Sequence, residues 1–345
     1  MNQYDLAETY DWNYENAPKQ LPELAIPEAG GQWDFCGLPI GAPLGIPAGP
    51  LLNCDWVLYY SRLGFDVLTY KTVRSRYRKC YDLPNLLPVA SPQLEVGAGE
   101  VLVVDSGGPP RSWAISFGMP SKDPPQWRAD VERARVGLQS HQVLVVSVVA
   151  SPEPDWTLTE IVADFTQLAR WAKDAGAQAV EANLSCPNVC SQEGQLYTSP
   201  QASAEISAAM RGALSGLPLV LKIGLFEHPV AASAFIQAVR PNCAALSTVN
   251  SVSAAIRDSS GQILFDGNIR GIGGECVRDR CQAEAAMLAS LMQTQAPDLK
   301  LVGVGGLGDA DSVKQRLAAG AHHVQIATAA MLDPLVGIKI RRQLT

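Results

Sequence analysis

The chain has 345 residues, nearly half of them apolar, with a modest charged fraction and a net charge of −7. That is enough chain to bury a large core, and barrels of alternating strands and helices reach this length as single units. The negative balance argues against nucleic acid and anionic membranes, which recruit basic surfaces.

Residues 1–35, rich in Pro, acids and aromatics, read as an extension wrapped on the surface. The opening stretch MNQYDLAETYDWNYENAPKQ lacks the basic start and apolar run of a signal peptide. The longest apolar run, Val143 to Ala150, is far too short to span a bilayer. The expectation is a cytoplasmic protein with no membrane partner. GQWDFCG is expected to begin the ordered barrel, residues 36–345.

From there, short apolar segments ending in Gly, Asn, Lys or Pro alternate with amphipathic stretches. Nine segments read as strands: LGIPAGP near Ala48, DVLTYKT near Lys71, AISFGMP near Ser116, QVLVVSVV, QAVEANLS, LVLKIG near Lys222, AALSTVN near Asn250, KLVGVGG near Gly305 and HVQIATA near Thr328. Continuously apolar strands are strands covered on both faces, and their alternation with helices implies a parallel sheet. Eight strands close a barrel, so one of the nine is very short or lies outside. The segment Ser75 to Arg111, rich in Pro and Gly, reads as an insertion after the second strand, where active-site lids often sit. The best-marked helix lies in TLTEIVADFTQLARWAKDAGA. Thr157 and Glu160 have capping-box spacing, Ile161, Phe165 and Leu168 share a face, and Gly176 suits the end. No G-x-G-x-x-G follows the first strand, which disfavours an open doubly wound sheet.

In such a barrel, reactive groups collect at the C-terminal ends of the strands. Lys71, Cys186, Lys222 and Asn250 all fall there. A lysine inside a strand as apolar as LVLKIG must find an anionic partner or lose its charge. Two such lysines point to a negatively charged or polarised ligand over the mouth; for Lys222 a structural carboxylate is the duller alternative. The last two strands add Gly305 and Gly306, followed by a helix starting near Asp309, and Ala327–Thr328 at the start of another. Glycines let backbone amides approach an anion, and the loops after the last two strands of a barrel commonly hold phosphate.

Taken in chain order, AGP (Ala48–Pro50), YKT (Tyr70–Thr72), SFGMP (Ser116–Pro120), NLSCPN (Asn183–Asn188) and LKIG (Leu221–Gly224) form a recognisable series. It continues with VNSV (Val249–Val252), GIGG (Gly271–Gly274), GVGG (Gly303–Gly306) and QIATA (Gln325–Ala329). From about residue 36 to the C-terminus the chain resembles the dihydroorotate dehydrogenase family of FMN barrels, and it is also similar to the flavin domain of dihydropyrimidine dehydrogenases. The fold implied is a TIM (β/α)8 barrel of the α/β class.

The resemblance implies roles residue by residue. Lys71 lies beside flavin and substrate, with Ala48, Gly49 and Thr72 nearby. Asn183 and Lys222 bond the isoalloxazine. Gly274, Gly305, Gly306, Ala327 and Thr328 hold the phosphate of FMN. Asn188, Asn250 and Ser251 hold the substrate ring, with Ser116, Gly118 and Met119 completing its pocket. Cys186 is the base of the soluble class, where the membrane-linked class has serine. A thiol with a reference pKa near 8.5 is a workable base near neutral pH, and a lysine beside the flavin stabilises its reduced anion. The implied reaction oxidises dihydroorotate or a related cyclic amide, removing a proton from one carbon and a hydride from its neighbour to FMN N5. The electron acceptor is expected to be soluble. Related barrels often form homodimers, and the sequence leaves the oligomeric state open.

One position departs from the pattern. The family places an asparagine in N-S-M-G, where this chain has Ile115 before Ser116. Isoleucine neither donates nor accepts, so a substrate carboxylate there loses a hydrogen bond. Ser116, or Arg76 and Arg78 of the insertion, would have to compensate.

The remaining cysteines and histidines carry no such pattern. Cys190, Cys243, Cys276 and Cys281 read as ordinary buried or surface residues. His322–His323 falls on a loop before the last strand, His141 and His228 have no partner pattern, and no metal is assigned. Two alternatives use the same residues. One is a phosphate-binding isomerase or lyase without flavin, with Lys71 or Lys222 as base or Schiff-base amine. The other is a barrel without chemistry that serves as a binding module.

Overall fold

A computed structural model describes residues 4–90, 101–104, 111–185 and 195–344, the segment 101–104 by its backbone alone. Eight parallel strands close into a barrel: Leu44–Ile46, Val67–Val73, Val143–Val148, Ala179–Asn183, Leu219–Ile223, Ala245–Thr248, Lys300–Val304 and His323–Gln325. Each pairs with the next, and the ring closes where Val324 meets Leu44. The strands are buried along nearly their whole length, as β-branched runs covered by helices outside and core inside should be. The helix Leu158–Asp174 carries the capping box between Thr157 and Glu160, buries Ile161, Phe165 and Leu168, and is followed by Gly176 at positive φ.

Side chains alternate along a strand, so every second residue points into the barrel. Val145, Ala179, Val220, Ala245 and Val302 share one buried interior cluster. Two residues further toward the C-terminal ends stand Ser147, Glu181, Lys222, Ser247 and Val304. The interior therefore changes from apolar to largely polar along its axis, and the polar end is the mouth.

GQWDFCG does not begin the barrel. Its Trp33–Phe35 pairs antiparallel with Leu38–Ile40, and Phe35 packs on the interior valines to plug the far end. Of the His322–His323 pair expected on a loop, His323 is the first residue of the final strand, buried in it against the Phe35 ring.

Of the nine candidate segments, the one outside the barrel is AISFGMP. Ser112–Ile115 belongs to a second, five-stranded closed barrel over the mouth, with Leu86–Ala90, Val101–Val104, Val252–Arg257 and Arg270–Gly274. Its partners Leu86–Ala90 and Arg270–Gly274 run antiparallel to it. It follows an antiparallel partner and no crossover helix precedes it, so it cannot enter a parallel ring. The Ser75–Arg111 segment thus supplies strands, and residues 252–274 supply the other half of the cap.

The N-terminal extension is not merely superficial. Its helix Tyr10–Glu15 is held by Trp56 Nε1 donating to Asn13 O (3.1 Å), Asn53 Nδ2 donating to Tyr14 O (2.6 Å) and a Lys122–Asp11 ion pair (2.6 Å). Tyr4, Tyr10 and Ala17 are buried, and Tyr4 meets Phe117 edge to face.

Candidate active site

A cavity of about 390 Å³ lies between the barrel mouth and the cap. Strands two, four and five deliver Lys71, Thr72, Asn183 and Lys222 to one side of it. Strands seven and eight deliver Gly305, Gly306, Ala327 and Thr328 to the other, and the cap adds Gly274. Ala48, Gly49, Gly118, Met119, Asn250 and Ser251 also line it.

One expected residue stands elsewhere, and two cannot be placed. Ser116 is buried outside the lining, where its Oγ accepts from Arg270 Nε at 2.8 Å. Alternation along the strand explains this: Trp113 and Ile115 face the cavity, so a residue between or beyond them turns away. Cys186 and Asn188 lie outside the described residues, as does Cys190.

Lys222 is 5% exposed and Asn183 3%, and the two are paired in register on adjacent strands. No carboxylate pairs with Lys222 among the described residues, so its ammonium faces the cavity without a structural counter-ion. Lys71, 7% exposed, sits where its charge partly offsets the burial that pushes the Cys80 thiol up to about 12. The Asn183 carboxamide is oriented by its neighbours: Oδ1 accepts from Ser185 N (3.2 Å) and Asn250 Nδ2 (3.3 Å), and Nδ2 points to Met119 Sδ (3.5 Å). Asn250 Nδ2 also donates to Ser185 O, which ties the end of the fourth strand's segment to the residues that follow the sixth strand. Gly118 and Met119 both have positive φ, and a Cβ on Gly118 would come within 2.5 Å of the Tyr81 ring.

The opposite side is shaped by glycines. Gly274, Gly305 and Gly306 have φ of 107°, 99° and 75°. A Cβ at each would lie 2.3 Å from Arg111 O, 2.5 Å from Cys281 Sγ and 2.3 Å from Arg278 Cα. Only glycine fits these positions, and the consequence is bare backbone facing the cavity, the surface that suits a phosphate. Asp309 caps the following helix through Ser312 N at 2.7 Å. Gln325, on the floor between the two sides, donates from Nε2 to Thr69 Oγ1 (3.0 Å), while its Oε1 has no partner among the described residues. A phosphate-bearing, ring-containing cofactor such as FMN fits this donor set: backbone at one side, amides and ammoniums at the other.

Several lining residues carry no local signal in the sequence. Tyr4 arrives through docking of the extension and Trp113 through the cap. Cys281, read as ordinary, lines the cavity under Gly305 with its thiol pushed up by burial to about 12. Arg278 was the readable one, since a cation stands four residues after GIGG.

The family model described as dihydroorotate dehydrogenase matches residues 126–345. A dihydroorotate dehydrogenase of Dictyostelium discoideum is 31% identical over 97% of this chain and 95% of that protein. The catalytic subunit of dihydroorotate dehydrogenase B (NAD(+)) of Methanopyrus kandleri is 26% identical over 62% of this chain and 64% of its own. The crystal structure of DHODH from Eimeria tenella in complex with ferulenol superposes with a TM-score of 0.75 at 16% identity, covering 94% of this chain and 86% of that one. That last likeness bears on the fold alone.

Proposed function

The chain belongs to the dihydroorotate dehydrogenase family, FMN-dependent oxidoreductases acting on CH–CH bonds, and we propose that the cavity beneath its cap oxidises dihydroorotate or a closely related cyclic amide. The supporting observation is the meeting, in one cavity, of Lys71, Asn183, Lys222 and Asn250 with the glycine turns at 274 and 305–306.

Gly274, Gly305, Gly306, Ala327 and Thr328 would hold the FMN phosphate, and Asn183, Lys222 and Lys71 its ring system. FMN when bound supplies the hydride acceptor. The chain does the rest. The Lys71 and Lys222 ammoniums, withdrawn from bulk water, would favour negative charge on the ring beside them. Asn250 and Ser251 hold the substrate amide, together with Asn188. Cys186 Sγ takes the proton from the carbon next to the one that loses hydride, and the reaction leaves a carbon–carbon double bond. The cap and Tyr4 cover part of the cavity. No helix among the described residues is long and apolar enough to cross a membrane. A soluble electron acceptor, a cytoplasmic location and a place in pyrimidine metabolism belong to the same reading.

The test is spectroscopic. Purified protein should be yellow, release FMN on acid treatment, and bleach anaerobically with a cyclic amide substrate. Folded protein without flavin after FMN supplementation overturns the reading.

A further inference from the structure

Beneath the Gly305–Gly306 turn lies Arg316, fully buried. Its Nε donates to Gln282 Oε1 (2.7 Å), Nη1 to Val304 O (3.1 Å), and Nη2 to Gly305 O (3.2 Å) and more weakly to Arg278 O (3.5 Å). No carboxylate pairs with it among the described residues. A guanidinium buried without an acid is costly, and carbonyl dipoles offset only part of that cost. Burial and the nearby Arg278 charge both push its pKa down.

Above the same turn stands Arg278, which lines the cavity and donates from Nε to Gly306 O at 2.9 Å. Its Nη2 lies 3.6 Å from Glu275 Oε1 and 3.8 Å from Asp309 Oδ2, beyond hydrogen-bond reach of both. Glu275 takes its closer partner in Arg111, at 3.2 Å. Two carboxylates therefore flank this edge of the cavity, and without Arg278 they would repel an entering anion. The guanidinium is anchored by Nε to the turn itself, which leaves its outer nitrogens spread along the cavity wall.

We propose that Arg278 and Arg316 supply the charge by which this site prefers a flavin with a phosphate to one without: Arg278 as a direct binding residue, Arg316 as a positioning residue acting through the Gly305 turn. The inference rests on the FMN reading. It adds two cations to a cradle otherwise made of backbone, and a charge-assisted contact is about twice as strong as a neutral one.

The test strips flavin from the holoenzyme and titrates the apoprotein with FMN and with riboflavin by fluorescence quenching. In the unmodified protein FMN should bind far more tightly than riboflavin. In Arg278→Gln that preference should fall by about tenfold, with riboflavin affinity nearly unchanged and Arg278→Lys intermediate. Raised salt should erode the preference more in the unmodified protein than in Arg278→Gln. Glu275→Gln should enlarge the preference. Arg316→Gln should reduce it where the variant folds by circular dichroism; if it does not fold, Arg278→Gln decides. An unchanged ratio in Arg278→Gln, or equal losses for both flavins, overturns the inference while leaving the FMN reading intact. An unmodified protein that binds neither flavin overturns both.

Discussion

Lys222 and Asn183 stand directly opposite one another on adjacent parallel strands, so an ammonium and a carboxamide leave the barrel wall side by side. The amide is already engaged with Ser185 N and Asn250 Nδ2, whereas the ammonium has no acid partner among the described residues. One group is oriented by its neighbours and the other brings a charge to the cavity with no acid beside it among the described residues.

Lys222→Met keeps the stem and removes the charge, and it leaves no buried carboxylate exposed to loss of a partner. The variant should fold with an unchanged melting temperature. Its flavin should bind more weakly and reduce more slowly, by about a hundredfold for the loss of one buried charge contact. Flavin content and the anaerobic reduction rate measure the two effects. Reduction at the unmodified rate would remove Lys222 from the site.

Cys186→Ala tests the base. Flavin content and substrate binding should persist, while flavin reduction slows by about a hundredfold or more, the range for loss of a general base. Cys190→Ala should change little. Equal rates for Cys186→Ala and the unmodified protein would exclude the thiol from proton transfer.

The barrel was legible because its signals are local. Buried strands such as Val67–Val73 are apolar end to end, and the Thr157–Glu160 box marks a helix within four residues. The lysines inside those strands were legible for the same reason, as charges out of place. The cap was not. Leu86–Ala90 and Arg270–Gly274 are short, far apart in sequence and glycine- or proline-bearing, and each becomes a strand only through partners distant in the chain, Ser112–Ile115 between them. Tyr4 and Arg316 were hidden too, because one works by docking and the other from beneath a turn.

His323 makes stability depend on pH. Burial holds its imidazole down to about 3 from an ordinary 6.5, and neither ring nitrogen has a partner among the described residues. The folded value is the lower one, so the unfolded chain binds the proton first as pH falls. The contribution is fully present above pH 6.5 and is lost progressively below it, at up to about 1.4 kcal/mol per pH unit. His323→Leu removes the titration while keeping a side chain against Phe35. The melting temperature of the unmodified protein should fall more between pH 7 and pH 5 than that of the variant. Parallel falls would show that His323 ionises freely in the fold.

Ile115 carries the prediction on substrate identity. It faces the cavity from the cap strand, opposite Gly271 on one side and Leu86 on the other, and lies against Gly273. The groups named to replace the missing asparagine are engaged elsewhere or lie off the cavity. Ser116 Oγ accepts from Arg270, and Arg76 binds Glu153 and the Ser151 carbonyl. Arg78 is absent from the lining, and its backbone is bridged to Ser121. A substrate carboxylate placed against Ile115 therefore loses a hydrogen bond worth roughly 1.5–3 kcal/mol for a charged partner. On this hypothesis dihydroorotate turns over poorly, a cyclic amide without the carboxylate or with an apolar substituent turns over better, and Ile115→Asn lowers the Michaelis constant for dihydroorotate by about tenfold or more. Steady-state kinetics of both proteins on dihydroorotate and on its decarboxylated analogue decide. Efficient turnover of dihydroorotate by the unmodified enzyme, with no gain in the variant, would show that Ile115 sets no limit on the substrate.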